Sequence, residues 1–168
     1  MKAQLTGMCG VYLVAAELSR RGFIASPTSR SAAAADILVT DQACRRAFTV
    51  QVKTNSGASS FWLVGKPYPG SETHIYVLVN LKAHGGGSFP EYFVVPSKII
   101  NERTYHQITK ATSAEFYSVQ RNEIRDYQVL PNQDKWKDIF GDPYSERNVE
   151  EESTSEKVHA SADTVEPK

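Results

Sequence analysis

The sequence predicts an α/β domain, a mixed central β-sheet of about five strands flanked by helices. Three observations carry that expectation. Residues 7–22 have apolar side chains at helical spacing. Several short runs then alternate with period two, as half-buried strands do. The run Ile75–Leu81 is almost wholly apolar, the composition of a strand covered on both faces.

Taken in order, the first helix rests on Val11, Val14, Ala15 and Leu18, with Arg20 and Arg21 suiting the dipole of its last turn and Gly22 as its stop. Phe23–Ser26 is a short strand. Pro27–Ser31 is a polar loop, and Ala32–Ala35 supplies small residues before Asp36. Two strands joined by a polar turn follow: the apolar run Ile37, Leu38, Val39, then Phe48, Val50 and Val52 alternating with Thr49, Gln51 and Lys53. Phe61–Val64, Ile75–Leu81 and Tyr92–Val95 read as further strands, the last ended by Pro96. Lys66–Thr73, with two prolines and a glycine, reads as a loop. Gly85–Gly87 is a connector and not a phosphate cradle, since no Lys-Ser/Thr follows. Ser97 is expected to cap a helix reaching about Gln107, with Ile99, Ile100 and Tyr105 on its apolar side. Phe116–Val119 suggests a short strand and Asn122–Tyr127 a turn of helix. Asp134–Phe140 suggests a last helix packing through Trp136, Ile139 and Phe140 and closed by Gly141.

The 168 residues suit one domain. No apolar stretch approaches the roughly 20 residues of a membrane-spanning helix. Glu17, Arg20 and Arg21 break the N-terminal apolar run where a signal peptide would be cleaved. The expectation is a cytoplasmic protein with reduced thiols, because Cys9 and Cys44 form neither a disulfide framework nor a metal motif. The formal net charge of zero conceals an asymmetry. Residues 145–168 hold seven acids and three bases, leaving sixteen bases against twelve acids in residues 1–144. Ser, Thr and Glu dominate this stretch and its only sizeable apolar residues are three valines, so it reads as an acidic, disordered tail after a domain spanning 1–144.

Alternate residues of a strand share a face, so Gln51 and Lys53 point the same way, and Asp36 can lie across from them. An acid, an amide and a lysine converging on one face suit a site. His74, His84 and His106 have no metal-ligand spacing, and no Ser-His-Asp or Cys-His pairing is suggested.

Asp36 followed by Gln51-Val52-Lys53 on a hairpin, with Glu17 on the helix upstream, resembles the PD-(D/E)XK nuclease superfamily, the restriction-endonuclease-like fold of restriction enzymes and Holliday-junction resolvases. The order GVYLVAAELSRRGF, ADILV, FTVQVKT and EYFVVPSKI is similar to small bacterial members, over about residues 7–140. The resemblance implies a restriction-endonuclease-like core and metal-dependent hydrolysis of DNA. Mg²⁺ (or Mn²⁺) would be held by Asp36, the Gln51 side-chain oxygen, the Val52 carbonyl and Glu17, with Lys53 stabilising developing charge. Ala35 stands where the pattern has proline, and Gln51 where it usually has an acid. Asp36, Gln51 and Lys53 therefore sum to zero formal charge, and Glu17 is needed to restore a negative one. The alternative is the same fold with a weakened site, binding nucleic acid or a protein partner. Arg20, Arg21, Arg30, Arg45, Arg46 and Lys66 are candidate phosphate contacts, along with the loop hydroxyls Thr28 and Ser29. Cutting two strands would favour a homodimer, and the acidic tail could dock a partner or shield the basic body.

Overall fold

The apolar stripe of the first helix forms α1 (Ala3–Arg20) in the computed structural model, which describes residues 2–29, 35–82, 89–109 and 112–144. Arg30, Gly85–Gly87 and the acidic tail lie outside the described residues. The helix starts four residues before the expected Gly7, and Gly7 and Gly10 lie within it. Gly10 has a positional reason. A Cβ there would come within 1.9 Å of Thr54 Oγ1, so the missing side chain lets the helix press directly on the sheet. The helix ends as expected at Gly22, whose φ is +92°. The Gly22 amide donates to Ser19 O and the Phe23 amide to Leu18 O, the paired bonds of a Schellman stop.

Five strands form the central sheet: β1 (Ile24–Pro27), β2 (Ile37–Thr40), β3 (Ala47–Asn55), β5 (His74–Asn80) and β6 (Glu91–Pro96), in the order β1-β2-β3-β5-β6. All pairs are antiparallel except β3–β5, which runs parallel with Gln51 beside Tyr76 and Lys53 beside Leu78. The long connection between them allows that return in the same direction, and it carries β4 (Phe61–Leu63). Every residue of β5 is buried, as its apolar run predicts.

The two faces of the sheet hold different cores. On one, Val14 and Leu18 of α1 and Trp136 and Phe140 of α3 (Lys135–Phe140) pack on Ile37, Val50, Val52 and Val77. On the other, Tyr76, Leu78, Phe93 and Val95 pack against Trp62, Ile100, Val119 and Ile124. Full burial of each such aliphatic side chain contributes about 1.5–3 kcal/mol before entropy is counted.

The second core covers a difference from the sequence reading. The helix from Ser97 stops at Arg103 (α2, Ser97–Arg103), and the expected remainder becomes β7 (Thr104–Ile108). Thr104, Tyr105 and Ile108 favour strands, and β7 pairs with β8 (Glu115–Gln120) in a separate three-stranded sheet ordered β4-β8-β7. Tyr105 accordingly sits exposed on a strand. Ser97 is the first helical residue and not the cap. Its hydroxyl donates to Ser71 O and accepts from the Ser71 amide, both at 2.9 Å, pinning the preceding loop. The 3₁₀ segment Arg121–Tyr127 and α3 follow where the sequence places them, with Asp134 capping α3. Among the described residues no helix is long and apolar enough to cross a membrane.

Candidate functional site

Asp36 occupies a bend just before β2, at the edge where β2 and β3 part. Its amide donates to Val50 O at 2.8 Å, while its own carbonyl accepts from the Thr28 amide at 2.9 Å. Past Val50, β3 has no β2 neighbour to receive its outward-pointing groups. The Asp36 side chain takes that place: Oδ2 accepts from the Val52 amide at 2.7 Å and from Gln51 Nε2 at 2.5 Å. Within a strand, N–H and C=O of one residue point to the same side. The Val52 carbonyl is therefore turned toward the same open edge. Thr28, one of the loop hydroxyls considered for phosphate, donates instead to Ala35 O at 2.6 Å and holds the bend.

A cavity of about 420 Å³ opens at this edge. Its walls are Gln4, Met8, Val11 and Tyr12 of α1 and Pro27 and Thr28 of the β1 end. Among the described residues Asp36 is the single carboxylate lining it. Gln51 and Lys53 project from the other face of β3, beside Tyr76 and Leu78, and neither lines the cavity. Asp36 reaches the edge between the two faces and touches both. Lys53 is half-buried, and no hydrogen bond or ion pair engages it among the described residues.

Asp36, Gln51, Val52 and Lys53 are thus neighbours, as the alternation and hairpin anticipate. Glu17 is not brought to them. Five residues separate it from Tyr12, the last α1 residue lining the cavity, which puts Glu17 about 7.5 Å further along the helix axis. There Glu17 pairs with Arg20 at 2.9 Å and Arg21 at 3.3 Å. It borders a separate depression with Leu13, Phe89 and Tyr92. Burial, with Glu17 and Cys9 nearby as negative neighbours, pushes the Tyr92 phenol up to about 12.

The proposed phosphate contacts are mostly committed elsewhere. Arg20 and Arg21 hold Glu17, and Arg21 also meets Asp134 at 3.5 Å and lies over the Trp136 ring. Arg46 bonds to Asp41 Oδ2 at 3.1 Å and to the carbonyls of Phe140 and Asp142, tying the C-terminal helix to the β2–β3 turn. The Arg45 amide donates to Asp41 Oδ1 at 2.9 Å. Burial opposes the charged form of Asp41, yet the Arg45 and Arg46 donors outweigh it and hold its carboxyl below the ordinary value. Lys66 follows β4 in the small sheet, where its charge acts on Glu115.

Beside Thr49, two residues before Gln51 on β3, the structure adds a group to which sequence spacing assigns no role. His74, at the head of β5, is buried and its Nδ1 is 2.8 Å from Thr49 Oγ1. Its Nε2 is buried without a hydrogen-bond partner. Burial pushes its pKa down, keeping it neutral. Its one sequence signal was a histidine opening an otherwise apolar strand.

The donor set bears directly on a metal. Among the described residues no three His, Cys, Asp or Glu side chains cluster. Asp36 supplies one carboxylate, one of whose oxygens already accepts two protein N–H groups, and the remaining donors are neutral. A hard dication is ordinarily held through carboxylates with its waters, and this set fits one poorly. The architecture matches the restriction-endonuclease-like core in general terms: a mixed five-stranded sheet with helices, the acid just before β2 and Gln-x-Lys on the neighbouring β3. Comparison of the chain with family models, with curated proteins and with solved structures returns no match.

Proposed function

We propose that this chain is a nuclease-fold module that binds nucleic acid and whose hydrolytic chemistry is weakened. The observation that carries the reading is the state of Asp36. Its carboxylate is engaged by the Val52 amide and the Gln51 side chain, and among the described residues no second acid lines the cavity with it to draw a dication. Glutamine in place of the usual acid removes one negative charge, and the expected substitute, Glu17, is paired with arginines at the other end of α1.

Lys53 supports nucleic acid as the ligand. An ammonium that no described residue engages, on the same strand face as Gln51, is a ready contact for a phosphate oxygen. The net +4 of residues 1–144 adds a weak general attraction. Duplex, single-stranded and branched DNA and RNA, each at several salt concentrations in EDTA, would test the reading by fluorescence anisotropy. The expected result is salt-sensitive binding without divalent ions. Lys53→Ala should weaken it several-fold and reduce the salt slope by about one. Affinity indifferent to salt, or none for any of these ligands, would overturn it. Removal of residues 145–168 should raise affinity if the acidic tail shields the basic body, and unchanged affinity would dismiss that role.

A second reading, active hydrolysis of DNA, draws on the adjacency of Asp36, Gln51 and the Val52 carbonyl at one strand edge. It requires that Mg²⁺ or Mn²⁺ bind there despite the low charge. Divalent-dependent cleavage abolished by Asp36→Ala would establish it over the first.

A further inference from the structure

Among the described residues, none covers one face of the small sheet. Trp62, Tyr117 and Val119 turn inward onto the second core. Alternation then turns Phe61, Leu63, Tyr105 and Phe116 outward, where they are 44, 53, 48 and 43% exposed. Register makes the patch continuous. Leu63 and Tyr105 both face Ser118 in one cross-strand row, Phe61 is two residues from Leu63, and Phe116 is two from Ser118. Ser118 is short enough to lie buried between its taller neighbours.

We propose that this face is a homodimer interface, on which a second copy of the chain seats its own small sheet about a twofold axis. Area and charge point to that occupant. At roughly 200 Å² per large side chain, the four exposures leave about 400 Å² of apolar surface in one patch. Two copies bring about 800 Å² from these side chains alone, and the flanking Gln107 and Gln120 raise the buried total to about 1,000–1,200 Å², at the threshold for a biological interface and in the range of weak, reversible dimers.

The charge argument is sharper. No Asp, Glu, Lys or Arg occupies a strand position on this face. In an isologous contact each patch meets its own copy, so any surplus of one sign would oppose itself. An uncharged face avoids that conflict. A nucleic-acid strand would instead require cations along its backbone. At the rim, the Tyr105 hydroxyl donates to Glu123 Oε1 at 3.4 Å, a charge of the wrong sign for a phosphate. Two-sheet stacking through inward-facing aromatic and aliphatic side chains is also an ordinary way to close such a face.

The proposal does not depend on the nucleic-acid reading, because its deciding readout, the mass of the assembly, is taken without nucleic acid. Sedimentation equilibrium of the full chain over a dilution series should give a mass of twice 18.7 kDa at micromolar concentration. Leu63→Arg and Phe116→Lys, both at exposed positions, should each lower it to a single chain mass with unchanged circular dichroism. Leu130→Arg, exposed elsewhere, should leave the dimer intact. A wild type that remains a monomer throughout, or a Leu63→Arg protein that keeps the doubled mass, would overturn the proposal. So would a monomeric wild type whose affinity for single-stranded DNA falls in Tyr105→Ala and Phe116→Ala, since that would identify the patch as a base-stacking platform.

Discussion

β2 carries an aspartate beyond each end, and the two are used in opposite ways. Asp41, after its last residue, is buried, and its charge is met by the Arg46 guanidinium and the Arg45 amide. Asp36, before its first residue, lines a cavity and receives only neutral N–H donors. Both carboxylates are hydrogen-bonded, so hydrogen bonding alone does not separate structure from function. What separates them is compensation of charge. Asp41 is balanced by a cation that also ties down the carbonyls of Phe140 and Asp142, whereas among the described residues no cation pairs with Asp36 at its open edge.

The largest effect should fall on Asp41. Asp41→Ala removes two hydrogen bonds and leaves the Arg46 guanidinium without its acid, and should cost about 2–4 kcal/mol in urea unfolding. Asp36→Ala loses bonds from neutral donors at a solvated edge and should cost about 1 kcal/mol, less than half as much. Equal losses would erase the distinction. The pH dependence sharpens it further. Since the folded pKa of Asp41 lies below its unfolded value, its contribution is present above about 3.8 and is lost as pH falls through the folded value. Asp41→Asn should lose that acid-limb dependence.

His74 belongs with Asp41 in this division. Its folded pKa is depressed by burial, so below the ordinary value of 6.5 the unfolded chain takes up a proton that the folded one resists. Stability should therefore decline as pH falls from about 6.5 toward 5, and His74→Gln should flatten that slope. A slope unchanged in the variant would assign it to another group. The smallest effect on stability should come from Lys53→Ala, within about 0.5 kcal/mol, while its effect on nucleic-acid affinity is several-fold. A large loss of stability instead would make Lys53 a structural residue.

These contrasts also explain what local sequence could convey. The buried run of β5 and the Asp36–Gln51 adjacency follow from period-two alternation and a short hairpin, both readable within twenty residues. Glu17 shows the limit. Helical spacing shows which face of α1 is apolar, but how far along β3 the helix sits depends on Gly10 meeting Thr54, 44 positions away in sequence. That axial placement sends Val11 to the cavity and Glu17 past it. The small sheet was hidden for a related reason. Ile99 and Ile100 sustain a helical pattern into Tyr105, and only pairing with β8 across the intervening loop turns Thr104–Ile108 into a strand.

The central claim is that Asp36 lies in a nuclease-like frame whose chemistry has been turned down by Gln51. The most direct measurement is cleavage of supercoiled, linear, single-stranded and branched DNA in Mg²⁺ and in Mn²⁺, with wild type, Gln51→Glu, Asp36→Ala and the double variant in parallel. The account predicts intact DNA with wild type and cleavage gained by Gln51→Glu, with that gain absent from the double variant. Cleavage by wild type that disappears in Asp36→Ala would contradict it.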